Sequence, residues 1–359
     1  MFLLKKIIIQ GAGFADNFGD VLFYDIFLKE SKEQNLEVEL ISITDKVLRH
    51  LPYQKNYSDK KNILSRVKSA DGIVYIGGGY LGEPPNINYK KKFMWGLRTI
   101  KNILYIAPIG ALFKKKIIVI GAGAGPITNP ITRKLVKWLA NYSEKTIVRD
   151  YESYDFLKKI GVNSSKLVET VDTALLVRKY FKIEENQSNE KSIVLHLSES
   201  PEESVETKLI MNDVNKFLIE NPEYKLKAIT DHNGGGQDKA IEYLREKYKN
   251  TIETHVYKNP EELINFLNTA SVVITNKLHI AIVSSSLEKS VISVPQHTKV
   301  LRYFAQIDQS DRCIEKWKIK KGDVFSLLEK YHDKSIKLEP QLFIKAENNI
   351  KYFTEFVQK

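Results

Sequence analysis

The chain has 359 residues, of which 43% are hydrophobic and 28% are charged, and its formal net charge is +11. The length favours two domains, and the charged fraction is ordinary for a soluble protein. The only cysteine is Cys313, which excludes a disulfide framework and a Cys-based metal site. The positive charge favours anionic partners in general, but no basic-and-aromatic pattern typical of nucleic-acid binding accompanies it, so no nucleic-acid partner is predicted.

The hydropathy pattern predicts neither a membrane-spanning helix nor an export signal. No apolar run approaches the roughly 20 residues that a spanning helix needs. The start, MFLLKKIIIQGAG, places its lysines after the first apolar residues and then enters a glycine loop, which is the wrong order for a secretory signal. We therefore predict a cytoplasmic protein.

Short apolar segments alternate with helical patterns in the first half, which is typical of βαβ units and parallel sheets. Helices are predicted between them, for example at 19–35 and 131–143. The segments are almost wholly apolar, as expected when helices cover both faces of the sheet. The predicted strands are 5–11, 37–43, 72–79, 115–123 and 145–150.

The polar segment 182–192 interrupts this rhythm, and we interpret it as an interdomain linker. A last helix is predicted at 341–357, after Pro340. The strands predicted after the linker are 192–198, 225–230, 251–256, 271–276 and 290–295.

These patterns predict an α/β fold with two Rossmann-like, doubly wound parallel-sheet domains that face each other across a cleft. We place the N-terminal domain at residues 1–183 and the C-terminal domain at 190–338. Residues 340–359 form a C-terminal helix that packs back on the first domain. Ligands of such sheets bind beyond the carboxyl ends of the strands, so the candidate sites are sought there.

Three glycine-rich loops follow strands of the first domain, at 11–20, 75–85 and 121–130. Their backbone N–H groups favour an anion or a sugar hydroxyl. The first loop, GAGFADNFGD, lacks the dinucleotide fingerprint G-x-G-x-x-G because residue 16 is Asp, so no cofactor is predicted. A structural interpretation stays open, in which the glycines make turns and Asp20 begins a helix.

Arg149 ends a strand of the first domain, and Asp150 follows it at the start of a helix. A guanidinium at that position offers a planar fork that suits a carboxylate or a phosphate. The alternative is a structural ion pair between Arg149 and Asp150 or a glutamate.

The segment VVITNKLHIAIVSSS carries Lys277 and His279 from a buried strand into a helix. His297 and Lys299 add further positive charge at the next strand end. A lone histidine is most often structural, but the neighbouring cation and the strand-end position favour a functional role here. His232, His279 and His297 lack a metal-ligand spacing, and no metal is predicted.

In this order, the motifs resemble those of the polysaccharide pyruvyltransferase family across roughly the first 300 residues. The matching pieces are NFGD (17–20), GGGYL (77–81), GAGAGP (121–126), RDYESYDFLKKIG (149–161), VDTAL (171–175), KLHIAI (277–282) and VPQHTKVLRYF (294–304). The resemblance implies a GT-B-like architecture. It also implies transfer of pyruvate from phosphoenolpyruvate to a sugar of a cell-surface or capsular polysaccharide precursor, commonly as a cyclic ketal.

The resemblance assigns roles to residues of this chain. The family's Arg-Leu-His triplet falls on Lys277-Leu278-His279, where lysine retains the charge but loses bidentate recognition. His279 is the implied acid/base, since an imidazole can give and accept protons near neutral pH. The predicted donor-binding residues are Arg149, Lys277, Leu278, Lys299 and His297, and the predicted acceptor-binding residues are Asp16, Asn17, Asp20, Gly78 and Gly79.

Two other functions stay open. One is a GT-B-type glycosyltransferase that uses a nucleotide sugar, and the other is a non-catalytic protein that binds sugar phosphates or glycans. The lysine at position 277 is the feature that keeps the second one open.

The stretch 101–116 is mostly apolar between basic ends and follows YKKKFMW at 89–95. One interpretation is a buried helix with a solvated rim of lysines. The other is a surface for peripheral contact with an anionic membrane, which a lipid-linked oligosaccharide acceptor would make useful.

Overall fold

The computed structural model describes residues 5–14, 16–51, 57–58, 62–84, 88–185, 190–248 and 252–359. The chain forms two compact units. The first comprises Met1–Asp16, Asp20–Thr173 and Gln341–Lys359, and the second comprises Asn17–Gly19 and Ala174–Pro340.

The first unit is built on a seven-stranded parallel sheet with the order β3-β2-β1-β4-β5-β6-β7. Its strands are β1 (Lys6–Gln10), β2 (Glu37–Ile41), β3 (Tyr57–Ser58), β4 (Gly72–Leu81), β5 (Lys116–Ala124), β6 (Thr146–Val148) and β7 (Leu167–Glu169). The helices that alternate with them are α1 (Phe18–Glu33), α2 (Asp45–Leu48), α3 (Ile63–Ser69), α4 (Tyr89–Thr99), α5 (Ile106–Leu112), α6 (Pro130–Tyr142) and α7 (Tyr151–Lys159). The two strands that the sequence pattern does not predict, β3 and β7, span only 2 and 3 residues.

The central strands β1, β4 and β5 are buried along almost their whole length, which explains their continuous apolar sequences. β4 and β5 pair in register from Gly72 and Lys116 onward. The register shifts between Gly78 and Leu81, so the glycines lie where the ladder becomes irregular at the carboxyl edge.

The second unit is a five-stranded parallel sheet with the order β10-β9-β8-β11-β12. Its strands are β8 (Lys191–His196), β9 (Tyr224–Ile229), β10 (Glu253–His255), β11 (Val272–Thr275) and β12 (Ser290–Ser293). Its helices are α8 (Val177–Tyr180), α9 (Val205–Glu220), α10 (Gly236–Lys247), α11 (Pro260–Asn268), α12 (Leu278–Ser286), α13 (Thr298–Gln306) and α14 (Asp323–Tyr331). The predicted α/β class with two parallel sheets is confirmed.

The last helix, α15 (Pro340–Gln358), belongs to the first unit from Gln341 onward. Asn349 is fully buried, and its side-chain amide donates to the carbonyl of Val171 at 2.8 Å and to Oγ1 of Thr173 at 3.0 Å. The helix therefore ties the end of the chain to the segment that closes the first sheet.

The predicted linker at 182–192 is partly fixed to the second unit. The side-chain amide of Asn265 donates to the carbonyl of Lys182 at 3.1 Å, and that of Asn268 donates to the carbonyl of Glu184 at 2.8 Å. These bonds satisfy two backbone carbonyl groups of this polar segment. The boundary between the two units falls earlier in the chain, at Thr173. Residues 186–189 of the predicted linker lie outside the described residues.

Across the described part of the chain, no helix combines the length and the apolar character required to cross a bilayer.

Candidate functional site

The carboxyl edge of the second sheet is the first candidate site. The chain runs from β8 outward to β9 and β10 and then returns to β11 on the other side of β8, so β8 and β11 form a topological switch point. Ligands of open α/β sheets bind at such points. The hydroxyl of Ser198, after β8, donates to Oδ1 of Asn276, after β11, at 3.0 Å and bridges the two strand ends.

Asp231, shortly after β9, is the centre of a buried polar network at this edge. Its Oδ1 accepts a hydrogen bond from Gln237, lies 3.0 Å from Nδ1 of His232 and 3.3 Å from Nε2 of His196. Its Oδ2 lies 3.6 Å from Nζ of Lys277. Burial alone would raise the pKa of this carboxyl, but Lys277 and the hydrogen bonds from the histidines outweigh it and hold the pKa of Asp231 well below its ordinary value. Asp231 is therefore ionised and holds Lys277 in place.

Lys277 is the N-cap residue of α12, and its backbone N–H donates to Oγ1 of Thr275 at 3.0 Å. Its side chain keeps 34% of its exposure although it reaches a buried carboxylate. The side chain of Lys277 makes no capping hydrogen bond to the N–H groups of α12. The first N–H groups of this helix and the lysine ammonium thus both favour an anion at the helix start.

His279 lies in the first turn of α12, with its ring packed against the backbone of Gly19. A Cβ atom at Gly19 would stand 1.7 Å from Nδ1 and 2.5 Å from Cε1 of that ring, so only glycine leaves room for the imidazole. The backbone N–H of Phe18 donates to the carbonyl of Asp231 at 2.7 Å and fixes this segment beside the network. The structure therefore brings together two sequence motifs, NFGD and KLH, that lie far apart in the chain.

His297 and Lys299 follow β12 at the same edge. His297 is the N-cap residue of α13, and it is partly buried. Desolvation, with the nearby cations of Lys299 and Lys277, lowers the pKa of His297 to about 4. The imidazole is therefore neutral at pH 7, and its shifted pKa reports a local positive potential.

Arg149 of the first unit lies in a different environment. Its guanidinium is 5% exposed, and Nη1 donates to Oδ2 of the buried Asp172 at 3.1 Å. Nε lies 3.8 Å from Oδ2 of Asp150, which also caps α7 by accepting from the N–H of Ser153 at 2.8 Å. Gly123 makes room for the fork, because a Cβ atom there would stand 2.9 Å from Nη2. Arg149 thus pairs with carboxylates of its own unit, and both the structural role and the donor-binding role of this residue stay predictions.

Two of the predicted acceptor residues lie at the start of the NFGD segment, where Asp16 precedes it and Asn17 is its first residue. Asp16 pairs with Nη2 of Arg49 at 3.0 Å and with Nε2 of His50 at 2.7 Å, which occupies both carboxylate oxygens. Asn17 belongs to the second unit, next to Phe18. Acceptor binding by these two residues stays a prediction.

The other predicted acceptor residues meet at the carboxyl end of β4. Oδ1 of Asp20 lies 3.6 Å from the place where a Cβ atom of Gly78 would stand, and Gly78 has a φ of +122°. A Cβ atom at Gly79 would meet no described heavy atom within 4 Å. The Asp20 carboxylate therefore lies beside backbone that carries no side chains, and both can hydrogen-bond a sugar hydroxyl.

Sequence reasoning missed Asp231, His196 and Gln237. From the segment TDHNGGGQDKA it considered only His232, as a possible metal ligand. Asp231 could have been found from its position, because it is a carboxylate directly after a predicted strand. Position after a strand is also the criterion that identified Lys277. Within the described ranges, no group of three or more His, Cys, Asp or Glu side chains is arranged to hold a metal ion.

A family model for polysaccharide pyruvyl transferase matches residues 17–298. This match covers most of the chain and includes both the NFGD and the KLH segments. The chain belongs to the polysaccharide pyruvyl transferase family. The resemblance stated from the motifs is therefore confirmed, and the chain is identified as a transferase of this family.

Several solved structures are similar to this chain along almost its whole length. A Staphylococcus aureus protein, MnaA, solved with UDP, is 15% identical, with a TM-score of 0.63 over 99% of this chain and 98% of that one. UDP-GlcNAc 2-epimerase from Methanocaldococcus jannaschii is 14% identical, with a TM-score of 0.64 over 98% and 100% of the two chains. A putative UDP-N-acetylglucosamine 2-epimerase from Listeria monocytogenes is 12% identical, with a TM-score of 0.66 over 100% and 98%. This pyruvyl transferase family member therefore has the predicted GT-B-like fold of two Rossmann-like domains, and at these identities the likeness shows the fold alone.

Proposed function

We propose that this family member transfers pyruvate from phosphoenolpyruvate to a sugar of a polysaccharide precursor and forms a cyclic ketal. The observation that carries the proposal is the carboxyl edge of the second sheet, where Lys277 pairs with the ionised Asp231 and His279 follows in the first turn of α12. A small, dense anion with a reactive carbon fits this combination of cations, helix start and imidazole.

The donor anion binds at the start of α12 in this proposal. Lys277 offers a partly exposed ammonium, and the first N–H groups of the helix add a directed positive field. Lys299 and the start of α13 lie at the end of the neighbouring strand β12. Since His297 is neutral at pH 7, it can donate a hydrogen bond to the donor without a change of charge. The donor role of Arg149 is a separate hypothesis.

The chemistry requires one proton at the methylene carbon and removes one proton from each of two sugar hydroxyls, and the second of these protons leaves with the phosphate. A proton adds to the methylene carbon of phosphoenolpyruvate, and a sugar hydroxyl attacks the central carbon and loses its proton. The C–O bond to phosphate breaks, inorganic phosphate leaves, and a second hydroxyl closes the ketal ring with loss of its own proton. An imidazole near neutral pH can serve both directions of transfer, and we assign that role to His279.

The packing of His279 supports this assignment. Its ring is wedged against the backbone of Gly19, so its position is set by the fold rather than by a flexible side chain. A proton-transfer group works only when it is held within hydrogen-bond reach of the reacting atom. We assign the acceptor hydroxyls to Asp20, Gly78 and Gly79, where the carboxylate lies beside open backbone.

The test is phosphate release. The protein is incubated with phosphoenolpyruvate and a galactoside, phosphate is measured, and the mass of the acceptor is followed for a pyruvyl ketal. His279→Ala should abolish turnover, by at least about 10³-fold, with an unchanged thermal unfolding curve. His332→Ala is the matched control, since this histidine contacts Tyr224 at 2.8 Å. Activity of His279→Ala at the wild-type level would remove His279 from the mechanism.

Phosphate release, together with thermal-shift measurements, distinguishes the proposed function from the two other functions. A binding homologue would release no phosphate with any acceptor, although donor analogues would still stabilise it. A nucleotide-sugar transferase would be stabilised by UDP- or GDP-sugars and not by phosphoenolpyruvate, because a ligand of the native state raises the melting temperature by mass action.

A further inference from the structure

The net positive charge of this chain is concentrated in one segment. Residues 84–143 contain 11 Lys and Arg and no Asp or Glu, so their formal charge equals the +11 of the whole chain. The described part of this segment forms α4, α5, β5 and α6 of the first unit. An excess of this size, in a segment that itself contains no carboxylate, attracts an extended anionic surface.

α4 exposes an apolar stripe inside this basic segment. Tyr89, Phe93 and Leu97 are 67%, 36% and 38% exposed. They lie four residues apart, which places them on one face of the helix. Met94, beside them on the helix, is 57% exposed. Large apolar side chains grouped on one exposed helix face mark an interaction surface, whereas isolated ones do not.

α6 lies beside α4 and extends this surface. A Cβ atom at Gly96 would stand 2.5 Å from Oγ1 of Thr132, so the two helices approach closely at that glycine. The side-chain amide of Asn129 donates to the carbonyl of Phe93 at 3.5 Å. Ile131, in the first turn of α6, is 56% exposed.

Exposed cations accompany the apolar side chains on both helices. α4 contributes Lys90, Lys91 and Arg98, and α6 contributes Arg133 and Lys134. Neither helix contains an acidic residue that could pair with them at helical spacing. We call these five cations, with Tyr89, Phe93, Met94, Leu97 and Ile131, the α4–α6 face.

The apolar stretch 101–112 is not the source of this surface. Ile103, Leu104, Ile106 and Ala107 in it are fully buried. The buried-helix interpretation therefore describes these four residues, whereas Leu112, at the end of the stretch, is 72% exposed.

We propose that the α4–α6 face docks the protein on an anionic lipid bilayer. The rings and aliphatic side chains of α4 would enter the boundary between headgroups and acyl chains, and the cations would bind the headgroups. A soluble polyanion would satisfy the cations but leave the apolar stripe in water. A second copy of this chain, docked through the same face, would bring like charges together. A bilayer with anionic lipids matches both the charge and the apolar stripe.

The test is vesicle co-sedimentation of the full chain, without donor or acceptor, so that its outcome is independent of the proposed reaction. The probes are vesicles of phosphatidylcholine alone and of phosphatidylcholine with phosphatidylglycerol. We expect binding to the anionic vesicles that weakens more than about tenfold in Lys90→Glu/Lys91→Glu/Arg98→Glu. The control, Lys208→Glu/Lys320→Glu/Lys321→Glu, makes the same change in net charge at exposed residues of the second unit and should retain binding.

The apolar contribution is tested separately. Phe93→Ser/Leu97→Ser should also reduce binding about tenfold or more, whereas Val205→Ser/Ile219→Ser, at residues 73% and 80% exposed on α9, should not. All four variants change exposed side chains, and thermal unfolding checks that they fold. No binding of the wild type to anionic vesicles overturns the proposal. Binding that Phe93→Ser/Leu97→Ser leaves intact also overturns it and indicates a polyanion site. A dimer that Phe93→Ser/Leu97→Ser dissociates, without vesicle binding, overturns it in favour of a second copy.

Discussion

The two strand-edge clusters differ in how their charges are balanced. In the first unit, the Arg149 guanidinium lies between two carboxylates, Asp172 and Asp150, and all three groups are less than 9% exposed. In the second unit, one buried carboxylate, Asp231, faces the partly exposed Lys277 and two histidines.

This difference favours an anion site in the second unit over one in the first. A buried cation that lies between two carboxylates is already paired. An anionic ligand would have to compete with those carboxylates for it. A cation that shares one carboxylate and keeps a third of its exposure can bind a ligand without losing its partner. The second unit is therefore where we expect the anion to bind. Four experiments test this comparison.

The largest effect is expected for Arg149→Ala. The change leaves the buried Asp172 carboxylate without this cation, so the free energy of unfolding should fall by about 3–5 kcal/mol. Urea denaturation measures it, and Lys277→Ala, at a partly exposed side chain, should cost much less. If Arg149→Ala instead keeps its stability and loses donor binding, Arg149 is a ligand fork as the sequence predicts.

Gly19→Ala should damage catalysis more than folding. The new methyl group would overlap the ring of His279 and force it to move, and a displacement of about 1 Å in a proton-transfer group costs about 10²-fold in kcat. Gly110→Ala is the matched control, since its methyl group would crowd the side chain of Ile73 at 2.5 Å and leave the proposed site residues unchanged. Equal kcat in the two variants would show that the position of His279 is unimportant for turnover.

Substitutions of Lys277 should change donor binding. Lys277→Ala removes the cation at the start of α12, and we expect the KM for phosphoenolpyruvate to rise about tenfold, with a smaller change in kcat. Lys277→Arg restores the family's residue and its bidentate fork, and its KM should be equal to or below that of the wild type. An unchanged KM in Lys277→Ala would place the donor elsewhere.

The smallest effect concerns pH. The pKa of His297 is about 4 in the folded chain, against an ordinary value of 6.5, so the folded chain is more stable with a neutral than with a protonated His297. That stability is fully present above pH 6.5 and is lost as pH falls toward 4, by about 1 kcal/mol for a group still partly open to solvent. His297→Gln should flatten this part of the pH–stability profile. Bound phosphoenolpyruvate should raise the pKa of His297, which calorimetry in buffers of different ionisation enthalpy detects as proton uptake. A pH–stability profile that His297→Gln leaves unchanged would mean that the two cations do not act on this imidazole.

The positions of strands and strand ends could be predicted from local sequence. Runs such as KIIIQ and KIIVIGAGA are apolar over their whole length, and this marks them as central strands of a covered parallel sheet. Lys277 and His279 follow such a strand, so their place at a carboxyl edge also follows from local pattern. Asp231 follows β9 in the same way, but its importance depends on His196 and Lys277, which come from other strands.

The sequence by itself determined the α/β class, the alternation of strands and helices, the family, and the concentration of positive charge in residues 84–143. These properties depend on the order and spacing of neighbouring residues. Only the tertiary structure decided that Gly19 makes room for His279 and that Asp172 engages Arg149. It also decided that α4 exposes a row of apolar side chains, whereas the apolar side chains of residues 103–107 are mostly buried. Each of these depends on contacts between segments far apart in the chain, and local pattern carries no information about which distant side chain fills a given space.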